Sequence, residues 1–465
     1  MIYLITSIVL FITQFFLIGL HQVKICAELF YYPWLVSKGL LPYRDFFDHH
    51  GFLLYYLFAP LTHDKSLFLL TVFFYINQAL NLALILLIFK RITNSIGFIL
   101  CGILFTLLNY YITDNSFWFE TSVTTFYLLI VLTTTIKQLK HKEILIGVFL
   151  LFATFIKPNS IVILLPLVSM YSPMLLILPL VIGWSLIYVL YFFLNGIVQL
   201  HTYLFLFNSS LPMKFLLPTI GSGDIFFHLL LLLLFVFLII VSFLNKKLRT
   251  NFIYILYTLT SLIFVIVLYD RVHFVPLIAF ICIFASIVVK QSRKIIRMGA
   301  LIFISCFVIV LCRSIKHEYS HFYSKSTYSP PIYTSINKSI ITEINKNKLN
   351  GKSLFVFGNM PELYILLDQM PPVSMSIVLY PYFHPFFPRI DERFTKEIQK
   401  SKPEVVIYPV PRDKEYTSFT SLQEYINDNY RLLDKKNSYE IWVRNHLIPP
   451  HSTSVNPSLS NFIKF

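Results

Sequence analysis

Apolar residues occur along the first two thirds of the chain in eleven runs, separated by short polar segments. The runs cover residues 2–20, 66–89, 97–111, 119–136, 144–156, 160–170, 173–194, 225–244, 252–268, 274–289 and 298–313. A helix needs about 20 apolar residues to cross a bilayer core and satisfies its own backbone hydrogen bonds there. The pattern therefore predicts a polytopic α-helical membrane protein with about eleven transmembrane helices. Prolines between residues 144 and 194 leave open whether adjacent runs there are separated by kinks or by loops.

Polar residues dominate the chain after residue 314. Residues 315–465 contain 18 basic and 14 acidic residues, with many turn-forming Pro, Asn and Ser. Short buried strands and helices alternate there, with strands predicted over 353–358, 403–409 and 438–443 and helices over 361–369 and 420–428. This order is typical of a small α/β domain.

The predicted domains are a transmembrane domain over 1–314, an α/β domain over 315–446 and a disordered tail over 447–465 that is rich in Ser and Pro. The α/β segment contains no phosphate-binding loop, nucleotide fingerprint or serine elbow. We therefore expect it to have an accessory role, in acceptor binding or in covering the site, rather than a role in the chemistry.

Composition excludes a soluble enzyme. The 465 residues are 56% hydrophobic and 13% charged, with a mean hydropathy of +0.69, whereas a soluble domain carries about 25% charged residues. The net charge is +15, but the basic residues lie between apolar runs, which favours a membrane over nucleic acid as the partner. Five scattered cysteines without a CxxC pair indicate neither a disulfide framework nor a zinc site of cysteines.

Charge is divided unequally between alternate loops. With the N-terminus placed inside, the inner loops hold one acid, Glu143, and twelve basic residues: Lys90, Arg91, Lys137, Lys140, Lys142, Lys246, Lys247, Arg249, Lys290, Arg293, Lys294 and Arg297. The outer loops and helix ends hold eight basic and eight acidic residues. The positive-inside rule then predicts a cytoplasmic N-terminus. An odd number of spans places the C-terminal domain on the extracytoplasmic side, and we expect a bacterial plasma membrane.

The long loop, residues 21–65, contains the acids and histidines that are candidates for catalysis. Aromatic and apolar residues pervade it, and its segment 28–37 predicts a short helix lying in the membrane interface, ended by Gly39. The acids of the loop are Glu28, Asp45 and Asp48, and His49 and His50 follow directly. Acids beside a membrane can hold an acceptor hydroxyl, act as a general base or bind a hard divalent cation.

The long loop resembles the first outer loop of GT-C superfamily glycosyltransferases. The similarity lies in Glu28, the aromatic run after it, and the sequence GLLPYRDFFDHHG that leads into LLYYL and the second span. The most similar group includes dolichyl-phosphate-mannose protein mannosyltransferases and lipid A aminoarabinose transferases. A Lys-Pro at an outer helix end (Lys157), an outer Arg-x-His before a span (Arg271, His273) and a mixed domain at the end extend the resemblance over nearly the whole chain.

The resemblance implies extracytoplasmic transfer of a sugar from a polyprenyl-phosphate donor. Glu28 occupies the place of the family's first-loop acid, which serves as base or as a metal-linked ligand of the acceptor. Many relatives have Asp-Glu there, whereas this chain has Ala27-Glu28, so either Glu28 works alone or Asp45 and Asp48 share its task. The acceptor, whether glycan, lipid or protein, is not indicated.

Transfer from a lipid phosphate needs a base for the acceptor hydroxyl and fixed cations for the leaving phosphate. By position and by resemblance, the phosphate-binding candidates are Lys157, Arg271 and His273. Candidates for acceptor or metal contact are His49, His50, Asp114 and Glu120, with a divalent metal ion as a possible cofactor. Each has a simpler interpretation. Asp45 and Asp48 can pair with Arg44 and His49, Lys157 can snorkel, Arg271 can pair only with Asp270, and capping of the fourth span is favoured for Asp114 and Glu120.

Other functions are open as well. A transporter or lipid flippase is typically marked by mid-membrane charges or repeated broken helices, and the sequence shows neither clear repeats nor mid-span acids. A surface-polysaccharide polymerase or ligase is chemically close, but such an enzyme is expected to concentrate its function in a large late outer loop. A purely structural membrane protein is the remaining alternative.

Overall fold

A computed structural model describes the backbone of residues 1–20, 22–62, 67–113, 115–207, 222–267, 271–322, 334–358, 360–374, 390–410, 419–436 and 439–447, apart from several side chains near the ends of these ranges. The chain divides into two compact units, Met1–Pro331 and Ile332–Phe465. The division falls later than the boundary after residue 314 that composition predicts. The reason is that the helix begun at Lys294 continues through Phe322.

As far as their residues are described, the eleven apolar runs lie on helical segments. In the first unit the α-helices are α1 (Ile2–Gly19), α2 (Glu28–Ser37), α3 (Leu53–Phe58), α4 (Phe68–Ile92), α5 (Ser95–Thr113), α6 (Phe119–Thr135), α7 (Lys142–Ile156), α8 (Leu164–Val168), α9 (Pro173–Phe193), α10 (Ile197–His201), α11 (Ser222–Leu244), α12 (Leu248–Ser261), α13 (Ile263–Val267), α14 (Val275–Gln291) and α15 (Lys294–Phe322). The prediction of a polytopic helical membrane protein is confirmed.

Within the described residues, 6 helical segments are long and apolar enough to cross a bilayer: Ile2–Gly19, Phe68–Ile92, Ser95–Thr113, Pro173–Phe193, Leu248–Val265 and Val272–Gln291. The run at 160–170 differs from a regular span. It forms a 3-10 helix, Pro158–Ile163, followed by the short α8. The chain nonetheless returns to the level where α7 began, because Lys142 Nζ lies 5.1 Å from the centre of the Tyr171 ring.

Polar contacts between helix ends show which of them lie at the same end of the bundle. At one end, which we call the Glu120 end, Asn115 Nδ2 donates to the carbonyl of Ile18 at 2.7 Å. At the opposite end, which we call the basic end, Thr93 Oγ1 donates to the carbonyl of Ser286 at 3.0 Å and Asn245 Nδ2 donates to Ser292 Oγ at 3.1 Å. Alternate loops therefore meet at opposite ends of the bundle, as the loop charges predict.

The long loop packs against the start of α6. Two short parallel strands, β1 (Lys24–Ile25) and β2 (Ser116–Phe117), tie its beginning to the segment before α6. The predicted helix at 28–37 is present as α2. Its aromatic residues Tyr31, Tyr32 and Trp34 are buried inside the protein, and the placement of α2 in the membrane interface stays a prediction. Stacking of Tyr32 on Phe46, with ring centres 5.0 Å apart, illustrates the aromatic packing that buries them.

The second unit is a four-stranded sheet with helices. Its strands are β3 (Leu354–Val356), β4 (Val405–Pro409), β5 (Tyr430–Lys435) and β6 (Tyr439–Arg444), in the order β3-β4-β6-β5, with β3 parallel to β4 and the other pairs antiparallel. Its helices are α16 (Ser335–Lys346), α17 (Glu362–Leu367), α18 (Ile390–Ser401) and α19 (Thr420–Asn429). The small α/β domain is confirmed, whereas β5 lies outside the predicted strands. Residues 448–465, most of the predicted tail, lie outside the described residues.

Candidate functional site

A buried ionic cluster lies at the start of α6. Glu120, in the first turn of the helix, is completely buried. Its Oε1 atom accepts hydrogen bonds from Lys157 Nζ, at the end of α7, and from His273 Nδ1, in the 3-10 turn before α14. A buried carboxylate needs such partners because burial without them strongly disfavours its charge. The fold thus joins two of the predicted phosphate-binding residues through an acid.

A second polar cluster is formed by Asp48 and the two histidines after it. Asp48 Oδ1 lies 3.1 Å from His50 Nδ1 and 3.7 Å from His49 Nδ1. Asp48 Oδ2 accepts from the backbone N–H of His50 at 3.0 Å and from the Tyr55 hydroxyl. Burial raises the pKa of Asp48 to about 6, against the opposing effects of His49 and of the Tyr55 hydrogen bond. Tyr55, seven residues after Asp48, was not among the sequence candidates.

Two direct contacts bring these clusters together. The ring of His50 stacks on Phe119, the neighbour of Glu120, with ring centres 4.0 Å apart. The N–H of Gly51 donates to the carbonyl of Ile156, the neighbour of Lys157, at 2.8 Å. Burial, followed by the positive charge of Lys157, lowers the pKa of His50. The histidines of the long loop therefore lie beside the ionic cluster of Glu120.

Glu28 is the third buried acid at this end. It is the first residue of α2, and its Oε2 atom accepts a hydrogen bond from the thiol of Cys26. The N–H of Cys26 in turn donates to the carbonyl of Phe117 at 3.2 Å, which fixes this part of the loop next to α6. Burial raises the pKa of Glu28, and the negative charge of Asp48 adds to the increase, while the Cys26 hydrogen bond opposes it.

Asp45 is separated from this group by its own contacts. Its two carboxylate oxygens accept from Arg44 Nε at 2.8 Å and from Arg44 Nη2 at 2.7 Å, and Oδ2 also accepts from the N–H of Leu41. The hydrogen bonds from Arg44 lower the pKa of Asp45. These contacts agree with the simpler interpretation of Asp45, in which it forms a surface pair with Arg44.

This arrangement was compared with known proteins. No protein-family model and no curated protein sequence matches the chain. Among solved structures, it is similar to ArnT from Cupriavidus metallidurans, crystallised bound to undecaprenyl phosphate, with a TM-score of 0.53 and 9% sequence identity over 95% of this chain and 97% of that chain. ArnT is an aminoarabinose transferase of the GT-C class.

The chain has a GT-C fold. The resemblance that the long loop carries is thereby confirmed at the level of the fold.

An open apolar cavity is formed by residues of α3, α4, α6 and α7. It has a volume of about 330 Å³ and is lined by Leu54, Phe73, Leu80, Phe126, Phe152 and Ile156, together with polar groups that include Ser122. Ile156 directly precedes Lys157, and Ser122 lies two residues after Glu120. Two of the residues that line this apolar space are therefore close in sequence to Lys157 and Glu120.

Two of the predicted site residues cannot be placed, and the capping role favoured for Glu120 differs from its observed contacts. Asp114 and the side chain of Arg271 are not among the described residues. The capping interpretation of Glu120 is wrong. The N-cap of α6 is Trp118, which makes no side-chain capping hydrogen bond, and Glu120 instead binds Lys157 and His273. Cys26 was also missed as a site residue, although its position two residues before Glu28 is a usable signal.

Proposed function

We propose that this protein is an integral-membrane glycosyltransferase that transfers a sugar from a polyprenyl-phosphate donor to an acceptor on the extracytoplasmic face. The supporting observation is that acids of the long loop and cations from two distant segments meet at one end of a GT-C bundle. The undecaprenyl phosphate bound to ArnT supports the choice of lipid carrier. The test is transfer of labelled sugar from such a donor to the acceptors in native membranes. Failure of the unmodified protein to transfer sugar from any donor tested would contradict the proposal.

The donor phosphate is proposed to bind Lys157 and His273. Lys157 is an ammonium in largely apolar surroundings, with 12% of its side chain exposed. His273 is buried, and its Nε2 atom has no hydrogen-bond partner among the described residues. Cations in a poorly hydrated site stabilise a leaving phosphate better than water does. We assign Arg271 to the same phosphate from its position in the sequence, and we assign the lipid chain to the apolar cavity.

Glu28 is proposed as the general base. Asp45 is committed to Arg44, and Asp48 is held by Tyr55 and His50, whereas the Cys26 thiol occupies one oxygen of Glu28. In the reaction, the acceptor hydroxyl gives its proton to Glu28 and its oxygen forms a bond to the anomeric carbon of the sugar. The bond from that carbon to the phosphate oxygen breaks, and its electron pair stays with the phosphate.

The Glu120 end is proposed to face the extracytoplasmic side. Basic residues of the inner-loop set, including Lys246 and Arg293, flank the opposite helix ends, where the N–H of Arg293 donates to Asn245 Oδ1 at 3.0 Å. The positive-inside rule then places the basic end in the cytoplasm. This orientation puts catalysis where an exported lipid-linked sugar is presented.

A divalent cation is proposed to bind Asp48, His49 and His50. One ligand atom from each lies within 4.8 Å of the others, and a donor set of one carboxylate with two imidazoles suits Zn²⁺ or a similar transition metal. The residues present therefore fit such an ion. Bound there, it would supply positive charge near the leaving phosphate.

Metal binding by this cluster can be measured without an activity assay. After removal of bound metal by a chelator, we expect calorimetry to detect one Zn²⁺ per chain, and the variants Asp48→Asn and His50→Ala to lose about 10–100-fold in affinity. Asp45→Asn is the matched control, because its carboxylate pairs with Arg44. Unchanged zinc affinity in both cluster variants would contradict the assignment.

Lys157→Met is expected to weaken binding of undecaprenyl phosphate by roughly tenfold or more, because a charge-assisted hydrogen bond contributes about 1.5–3 kcal/mol. It also removes one of the two partners that Glu120 has among the described residues, so the melting temperature should fall. The double variant Lys157→Met with Glu120→Gln removes both charges.

The double variant separates the two effects of Lys157. It should recover melting temperature, because no unpaired carboxylate is left buried, and it should still bind the lipid phosphate weakly. Binding is measured with fluorescent undecaprenyl phosphate in detergent. Affinity equal to that of the unmodified protein in the double variant would exclude Lys157 from the phosphate site.

A further inference from the structure

One acceptor atom in the ionic cluster is not used by the protein. Glu120 Oε1 takes both hydrogen bonds, from Lys157 and from His273, while Glu120 Oε2 is buried and has no partner among the described residues. Trp118 Nε1, two residues earlier, is likewise buried without a partner. A buried polar atom without a partner costs about 1–3 kcal/mol, and such atoms are rare in folded proteins. Both atoms belong to residues at the start of α6, beside the ionic cluster, where a ligand with hydrogen-bonding groups would supply their missing partners.

The chemistry of Glu120 Oε2 narrows the identity of that ligand. A carboxylate oxygen only accepts hydrogen bonds, so a phosphate, which offers acceptors of the same charge, is repelled by it. A divalent cation is disfavoured because the ammonium of Lys157 already contacts this carboxylate. A hydroxyl group fits, because it donates to Glu120 and can accept from the indole N–H of Trp118.

The position of Glu120 Oε2 indicates that this hydroxyl group belongs to the sugar of the donor. The proposed phosphate ligands, Lys157 and His273, contact Glu120 from the other oxygen, and the rings of Trp118 and His273 lie 6.2 Å apart at an interplanar angle of 83°. In a lipid-phosphate sugar, the sugar is bonded directly to the phosphate. A phosphate held by these cations therefore brings sugar hydroxyls close to Glu120 and Trp118.

We propose that Glu120 Oε2 and Trp118 Nε1 form the subsite that recognises hydroxyl groups of the donor sugar. The proposal rests on the proposed function, since it takes the ligand to be a polyprenyl-phosphate sugar. Glu120 then has two roles: one oxygen orients the phosphate-binding cations, and the other selects a lipid phosphate that carries a sugar. An ordered water satisfying the same atoms is the alternative that the experiment must exclude.

The test compares two ligands on the same protein. Affinities are measured for undecaprenyl phosphate and for the same lipid phosphate carrying glucose, galactose or mannose. Their ratio isolates the contribution of the sugar, because the lipid chain and phosphate are common to both. We expect at least one sugar form to bind about tenfold more tightly than the bare lipid phosphate, the value of one charge-assisted hydrogen bond.

Variants of Glu120 and Trp118 test whether this ratio of affinities depends on the subsite. Glu120→Gln, which keeps the size of the side chain and removes its charge, should lower the ratio to about threefold or less, the share left to Trp118. Trp118→Phe leaves all charges in place and should lower the ratio by roughly threefold, as expected for a neutral hydrogen bond. Trp184→Phe is the control that should leave the ratio unchanged, because it removes an indole N–H that already donates to Thr154 Oγ1 at 3.1 Å.

The outcomes distinguish this inference from the proposed function. If neither ligand binds the unmodified protein, the polyprenyl-phosphate function itself fails. If both bind with equal affinity, or if the ratio is the same in Glu120→Gln and Trp118→Phe as in the unmodified protein, the sugar subsite is refuted while the phosphate site stands. Trp118→Phe keeps the test decisive should Glu120→Gln fail to fold.

Discussion

Glu28→Gln is expected to lower the rate of sugar transfer by about 10²–10⁴-fold, the contribution of a positioned general base. The glutamine amide has nearly the same shape as the carboxylate and its oxygen can accept from Cys26, so the fold of α2 should be kept. What is lost is the site that takes the proton of the acceptor hydroxyl. The measurement is transfer of labelled sugar into membranes, with expression and melting temperature checked in parallel.

The pH profile gives Glu28 a second signature. Its carboxylate must be ionised to act as a base, and burial raises its pKa above the ordinary value, with the charge of Asp48 acting in the same direction. The rate should therefore rise with pH through this raised pKa, at higher pH than for an exposed glutamate. The other titratable groups facing it are Cys26 and Tyr32, whose pKa values burial raises.

Asp45→Asn is the matched control for Glu28→Gln. It removes a carboxylate from the same loop, but that carboxylate belongs to a partly exposed pair with Arg44, so the rate should change by only a few-fold. A surface pair of this kind contributes about 0–1 kcal/mol. Wild-type transfer by Glu28→Gln together with strong loss in Asp45→Asn would reverse the assignment of the base.

Gly51→Ala should reduce transfer by about 10²-fold or more. A Cβ atom on Gly51 would lie 2.0 Å from the backbone oxygen of Phe155, a distance that no rotamer change can relieve. The loop must then move away from the end of α7, which breaks the hydrogen bond from Gly51 to Ile156 and separates His50 from Lys157. Displacement of reacting groups by about 1 Å costs on the order of 10²-fold in rate.

Gly299→Ala is the comparison for Gly51→Ala. A Cβ at Gly299 meets nothing within 4 Å, and alanine in a helix is favoured over glycine by about 1 kcal/mol. Transfer by this variant should equal that of the unmodified protein, and its melting temperature should be equal or higher. Full activity in Gly51→Ala would show that the contact between the long loop and α7 is not needed for catalysis.

The fold was predictable because a bilayer constrains the sequence so strongly. Each apolar run had to be helical, since in hydrocarbon only a helix or a closed barrel pairs every backbone group. The elements that escaped prediction, such as α3 and the strands β1 and β2, are short and are fixed by tertiary contacts. The burial of the aromatic residues of α2 could not be predicted, because tyrosine and tryptophan are suited both to the membrane interface and to a protein core.

The site was only partly predictable, because its central contacts join residues that are far apart in the sequence. The pair of Arg44 and Asp45 joins adjacent residues and could be read locally. Glu120 could not, because its partners Lys157 and His273 lie 37 and 153 residues away, and an acid in the first turn of a helix is ordinarily explained by the helix dipole. The importance of Glu120 depends on burial, which the sequence alone does not show.

The most direct measurement is a cryo-electron microscopy structure of the protein with undecaprenyl phosphate. We expect the phosphate to lie within hydrogen-bond distance of Lys157 Nζ and His273 Nε2, with the lipid chain in the cavity beside Ile156 and Glu28 at the same end of the bundle. A phosphate bound at the basic end, or one without contact to either cation, would contradict this expectation.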